Sequence, residues 1–162
     1  MSSISSGDAR ERRRTVTAIK EALRELRNQL SLLNHQVSRR LELKDVDLDC
    51  LELVQRHGAM TPGELARRAG LHPATLTGIL DRLQRAGWIT RERDPNAADR
   101  RAVTVRAVKD RNPELFSLYS GMNASLDDLF TGYSEAELAL LADFLRRTTA
   151  LGRTATEELA EE

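Results

Sequence analysis

Residues 60–107 read MTPGELARRAGLHPATLTGILDRLQRAGWITRERDPNAADRRAVTVRA, and this stretch decides the fold. Thr61-Pro-Gly-Glu64 is a helix start. The Thr hydroxyl can cap free N–H groups, Pro62 sits where no N–H is needed, and Glu64 is placed to close a capping box. Leu65, Ala66 and Ala69 give this helix a short apolar face, and Gly70 supplies the backbone freedom for a tight turn. Pro73 opens a second helix, in which Leu76, Ile79, Leu80 and Leu83 fall at i, i+3, i+4 and i+7 as one buried stripe. Ala74, Thr75, Thr77, Gly78, Asp81, Arg82 and Arg85 are left facing outward. Two helices joined by so short a turn predict a helix-turn-helix, whose second member is shaped to enter a DNA major groove.

Ala86-Gly87 ends the second helix. Trp88–Arg93 and Arg101–Arg106 each alternate like strands, and Asp94-Pro95-Asn96 between them is turn chemistry. A hairpin appended to a helix-turn-helix is a wing. The stretch resembles the MarR family of winged-helix transcription regulators. The resemblance is carried by TPGELA at 61–66, PATLT at 73–77, LDRL at 80–83, GWI at 87–89, and DPNAADRR with VTV across 94–105. The full set, in this order and spacing, is specific where a lone helix-turn-helix pattern is weak.

The whole chain of 162 residues has a formal net charge of +0, so its total charge favours no polyanion. Its distribution does. Residues 61–106 hold nine arginines against five acids, a net +4, whereas residues 120–162 hold nine acids against three arginines, a net −6. Phosphate attraction follows the local field, so the basic middle is what a nucleic acid meets. A hydrophobic content of 40% with 31% charged residues describes a chain with a sizeable core and no membrane span. No signal peptide is read at the start, and the single Cys50 permits no internal disulfide, so the expected compartment is the cytoplasm.

Outside the central stretch the chain reads as helices. Residues 1–9 are expected as a disordered tail. From 10 to 44 one long helix carries Val16, Ile19, Leu23, Leu26, Leu30, Leu33, Val37 and Leu41 at steps of three and four, a near-3.5 repeat typical of helix–helix association. Asp45 or Asp47 is expected to cap a scaffold helix ending at His57-Gly58. After the wing, Asp110 or Asn112 restarts a helix with Leu115, Tyr119, Met122, Leu126 and Leu129. Ser134-Glu-Ala-Glu137 is a second capping box, opening a final helix with Leu138, Leu141 and Leu145.

The predicted architecture is mainly α with a small β-wing and six helices. Residues 45–108 form the winged DNA-binding domain, and helices 10–44 and 109–162 form a dimerization domain. Stripes at both ends exceed what a short winged module can cover, which argues for a two-fold dimer. Such a dimer presents two recognition helices about one DNA turn (~34 Å) apart to a pseudo-palindromic operator in double-stranded DNA. The MarR resemblance independently implies the same homodimer.

The candidate DNA-binding residues are Thr75, Thr77, Asp81, Arg82 and Arg85 on the second helix, with Asp99, Arg100 and Arg101 at the wing. The threonines lie near a helix N-terminus, where side chains meet base edges. Arg101 and Asp99 match the family's wing pair, which implies that Arg101 enters the minor groove and Asp99 steadies the loop. Arg100 is placed for phosphates. Two positions depart from the family pattern: His72 stands where a small capper is usual, and Gly78 where an arginine is common.

Trp88 is expected in the core, as is Cys50. Some MarR relatives sense oxidants through a cysteine in the first helix, and this chain has none there. His35, His57 and His72 are isolated, without a partner at metal spacing, and no metal, cofactor or catalytic set is expected. MarR relatives commonly bind small aromatic anions, so release from DNA by such an effector is one expectation and a ligand-independent repressor another. The competing function class is a winged-helix interaction adaptor that has lost DNA binding.

Overall fold

A computed structural model describes residues 3–93 and 102–160. The chain divides into two units, one ending at Leu115 and the other beginning at Phe116.

The first unit opens with α1, Ser3–Arg40, followed by α2, Asp45–His57. Residues 3–9, expected in a disordered tail, are thus part of a helix. Extending a helix fixes one residue per added hydrogen bond, which costs far less than nucleating one, so the strong helix from Arg10 onward carries its neighbours with it. The junction of α1 and α2 is polar. Ser38, fully buried, donates its hydroxyl to Asp45, and His35 Nδ1 lies 2.9 Å from the same carboxylate. Asn34 donates to Asp49 at 2.9 Å. These contacts explain why neither Asp45 nor Asp47 caps α2: the cap residue is Lys44, without a side-chain bond, and both aspartates are taken by tertiary partners.

Helix α3, Pro62–Ala69, begins as its sequence dictates. Thr61 Oγ1 accepts from the Glu64 amide at 3.2 Å and Pro62 occupies the first turn. The reciprocal half of the expected capping box is absent, because the Glu64 carboxylate turns to Arg68 at 2.9 Å. Gly70 ends the helix in the left-handed region (φ 65°), with Leu71 N–H donating to Ala66 and Gly70 N–H to Arg67, the double closure of a Schellman motif. Two residues later α4, Pro73–Arg85, starts from His72, whose Nδ1 accepts the Ala74 N–H at 3.2 Å. The histidine therefore does the work of the small capper it replaces.

Gly87 (φ 77°) turns the chain out of α4 into β1, Ile89–Arg93, which pairs antiparallel with β2, Val103–Ala107, in the register Ile89 to Ala107 and Arg93 to Val103. Met60 adds one bridge to Val105 through bonds of 3.1 and 2.8 Å, tying the hairpin to the entry of α3. The core collects the stripe of each element: Leu48, Leu51 and Val54 from α2, Leu65 from α3, and Leu76, Ile79, Leu80 and Leu83 from α4. Trp88, Ile89 and Val105 join it, with Val37, Met60, Ala66 and Leu115. Cys50 is buried among them. Truncating one such leucine to alanine costs roughly 2–5 kcal/mol, so α4 is held rigidly by its inner face. After β2 a single 3-10 turn, Lys109–Arg111, leads into α5, Asn112–Phe130.

The second unit holds most of α5 and all of α6, Glu135–Ala160. Here the capping box is complete: Ser134 N–H and hydroxyl both donate to Glu137 at 2.8 Å, and the Glu137 amide donates back at 3.3 Å. No residue of α6 is buried, although Leu140, Phe144, Leu145, Leu151 and Leu159 all lie along it. No described helix is long and apolar enough to cross a membrane.

Candidate nucleic-acid interface

The outer face of α4 is fixed by what its inner face buries. Ala74, Thr75 and Thr77 are exposed near the N-terminus, and Arg85 is exposed at the last turn. The Thr77 hydroxyl donates to its own helix at Pro73 (3.2 Å), which leaves its oxygen lone pairs outward.

Arg82 behaves otherwise. Its Nε and Nη2 fork onto the two oxygens of Asp47 at 2.8 and 2.6 Å, and Asp47 is only 1% exposed. This is a bidentate pair in the geometry that guanidinium and carboxylate favour, and it holds the guanidinium pKa above its ordinary value. Arg82, expected among the groove readers, is a strut between α2 and α4. Asp81 is also occupied, by Arg91 of β1 at 2.6 Å, and Gln84 accepts from the same arginine. Sequence spacing places Asp81 and Arg82 on the outer face; it carries no information about which of them a buried carboxylate or a neighbouring strand will capture.

The charge inventory changes accordingly. Arg68, Arg82, Arg91 and Arg106 each face a carboxylate. Arg67, Arg85 and Arg93 face none among the described residues. Arg91 and Arg93 were absent from the sequence-derived set, although strand alternation puts both on one side of β1. With Pro62, Thr77, Leu80, Gln84 and Val103 they line a cleft of about 400 Å³ between α4 and the hairpin. The wing residues Asp99, Arg100 and Arg101 lie outside the described residues.

Behind this surface, Trp88 is 1% exposed, in the core as expected. Arg111, from the 3-10 turn, stacks over its ring at 3.6 Å from the centroid. It also donates to the Ala86 carbonyl at the end of α4 and pairs with Glu114 at 2.7 Å. A cation over an indole contributes about 0.5–2 kcal/mol, so Arg111 clamps the α4–β1 corner against the start of α5. Nothing local in the sequence marks this role, because Ala86 and Trp88 lie more than twenty positions away.

The Cys50 thiol is pushed up to about 11 by burial and by the neighbouring Asp49 and Asp47 charges. A thiol so raised carries almost no thiolate near neutrality. Among the described residues no cluster of histidine, cysteine and acidic side chains could hold a metal ion.

The MarR family model matches residues 43–103, from just before α2 to the first residue of β2. The chain is 30% identical over 141 residues to the HTH-type transcriptional regulator YcgE of Bacillus subtilis, covering 87% of this chain and 90% of that one. This chain belongs to the MarR family. As a MarR-family protein it is a DNA-binding transcription regulator of the helix-turn-helix type, not an enzyme. Among solved structures, a MarR family protein from Bacillus stearothermophilus superposes with a TM-score of 0.67 at 20% identity, over 87% of this chain and 97% of that one. NadR in complex with 4-hydroxyphenylacetate superposes with a TM-score of 0.60 at 22% identity, over 80% and 91%. Both show the same winged-helix fold. In this MarR-family chain the expected DNA-binding regulator stands, and the competing reading, an adaptor without DNA binding, gives way.

Proposed function

We propose that this protein is a homodimeric repressor that binds a pseudo-palindromic operator in the cytoplasm. The observation that carries the reading is the exposed apolar surface of the terminal helices. Val16, Ile19, Leu26 and Leu30 of α1 are each more than 40% exposed, as are Leu140, Leu145 and Leu151 of α6. Side chains of this size at helical spacing favour coverage by another helix, and a second copy supplies one of matching pattern. In that dimer α1, α5 and α6 provide the dimerization domain. Thr75, Thr77 and Arg85 face the major groove, Arg91 and Arg93 approach the backbone beside it, and Arg101 holds the adjacent minor groove with Arg100 on phosphate and Asp99 steadying the loop. A dimer seated on a promoter-proximal operator excludes polymerase, which is repression by occlusion.

The test combines sedimentation with anisotropy titration of duplexes carrying two half-sites. A dimer whose affinity collapses when about 5 bp, half a helical turn, are inserted between the half-sites supports the reading. A monomer protecting one half-site, or indifference to spacing, overturns it. Arg101→Ala is expected to weaken specific binding strongly, and unchanged operator affinity at physiological salt removes the wing assignment.

A second, finer reading concerns release by a small aromatic anion. Its support is the fold shared with NadR, whose solved complex holds 4-hydroxyphenylacetate. Ligand acts by favouring a dimer whose recognition helices no longer match the half-site spacing. Titrating aromatic carboxylates into the protein–operator complex tests it, and a panel with no release leaves the ligand-independent repressor.

A further inference from the structure

Helix α1 has two unlike faces. At about 100° per residue, Val16, Ile19, Leu23, Leu26 and Leu30 fall on one side, and Arg10, Arg13, Arg14 and Arg24 fall on the other. Lys20 and Arg27 lie at the border beside Val16, and Arg12 is on the apolar side. Residues 10–27 hold seven cations against three acids, a net +4 equal to that of the winged stretch. All four outer cations are exposed. Among the described residues no carboxylate lies within ion-pairing distance of any of them. Of the acids nearby, Glu25 is taken by Gln29 at 2.9 Å. Arg10, Arg13 and Arg14 surround a surface depression of about 320 Å³ together with Thr17, Ala18 and Glu21. From Arg10 to Arg24 the stripe is about 21 Å long, and it ends about 16 Å along α1 from His35, where the helix joins α2.

We propose that this outer face of α1 is a second phosphate-binding surface, which takes the backbone of duplex DNA apart from the winged module. A row of unpaired cations on one helix face suits a regular row of phosphates, and it reads no base. Arginine is the better residue for the purpose, since its fork binds phosphate oxygens bidentately. DNA is the polyanion already held next to this chain by α4, so the stripe meets it at high local concentration. The acidic residues Glu157 and Glu158 of α6 are the competing occupant within a second copy; Glu157 lies away from the apolar positions of its own helix, whereas Glu158 shares the side of Leu140 and Leu151. A helix that packs on the apolar side of α1 lies opposite Arg10, Arg14 and Arg24, so neither glutamate reaches them from there. The surface therefore holds flanking or second-segment DNA without adding sequence preference, and it stands whether or not the dimer reading holds.

The experiment is the salt dependence of binding to an operator-free duplex, measured by fluorescence anisotropy on the full chain between 50 and 200 mM salt. R10Q/R13Q/R14Q removes three cations and is expected to reduce the log–log slope by about 2.7, at roughly 0.9 per phosphate contact. Over that range the wild type then loses about 40-fold more affinity than the variant. R10K/R13K/R14K keeps the charge and is expected to retain most of the slope, which separates a charge effect from a folding defect should the glutamine variant lose helicity. A slope unchanged to within about 0.5 for the glutamine variant overturns the proposal. So does an effect of the same variant on sedimentation or on binding to phosphatidylserine vesicles with none on duplex DNA, which assigns the stripe to a second copy or to a membrane surface.

Discussion

Replacing Arg82 separates two roles that its sequence position alone does not distinguish. Asp47 is 1% exposed, and the Arg82 side chain is 37% exposed, so the guanidinium end of the pair reaches solvent while the carboxylate end does not. In Arg82→Ala the carboxylate stays buried without its partner. Breaking a fully buried pair costs about 3–5 kcal/mol, and partial exposure of the arginine lowers that to about 2 kcal/mol. In a chain of this size such a loss lowers Tm by roughly 4–8 °C. Asp47→Ala costs less, about 1 kcal/mol, because the freed guanidinium can turn to water. The double variant is expected to fall short of the summed losses by about 1–2 kcal/mol, the signature of direct coupling. Urea unfolding of the four proteins measures the cycle, and operator titration of each folded variant measures recognition. A refolded Arg82→Ala with unchanged stability and much weakened operator affinity refutes the strut and restores Arg82 to the groove.

Three further outcomes follow from the same geometry. Cys50, buried and with its thiol raised to about 11, is expected to resist iodoacetamide at pH 7.5 until denaturant is added, and peroxide is expected to leave operator binding unchanged. Rapid labelling of the folded protein, or peroxide release lost in Cys50→Ser, contradicts this. A Cβ at Gly78 meets only Arg82 Nη1 at 3.5 Å, ordinary contact distance, so Gly78→Ala is expected to stabilise by up to about 1 kcal/mol; a lower Tm shows the strut displaced. The Asp45 carboxyl is held below the usual range by hydrogen bonds from Ser38 and then His35. A depressed folded-state pKa contributes stability that is complete above about pH 4, the unfolded value, and is lost as pH falls through the folded value. The Tm advantage of wild type over Asp45→Asn is therefore expected to shrink on acidification from pH 5 to 2.5, and an advantage independent of pH in that window refutes the assignment.

Much of this protein is determined by its sequence. Thr61-Pro62, Gly70 and Pro73 act within a few residues of themselves, so the helix-turn-helix and its boundaries follow from local chemistry. The i, i+3, i+4 and i+7 stripe of α4 states which face is buried, and Trp88 and Cys50 take the core places their character demands. The tertiary structure decided what the outward residues do. Asp47 spends its charge on Arg82 across 35 positions, Arg91 engages Asp81 and Gln84, and Arg111 closes over Trp88. Asp45 and Asp47, suited by type to cap α2, were drawn to partners on other helices instead. Periodicity records which side of a helix is polar, because burial acts on every turn alike. Which polar group meets which depends on where distant elements come to rest, so only the folded chain could show that Thr75, Thr77, Arg85 and Arg93 remain exposed while Arg82 is taken by Asp47.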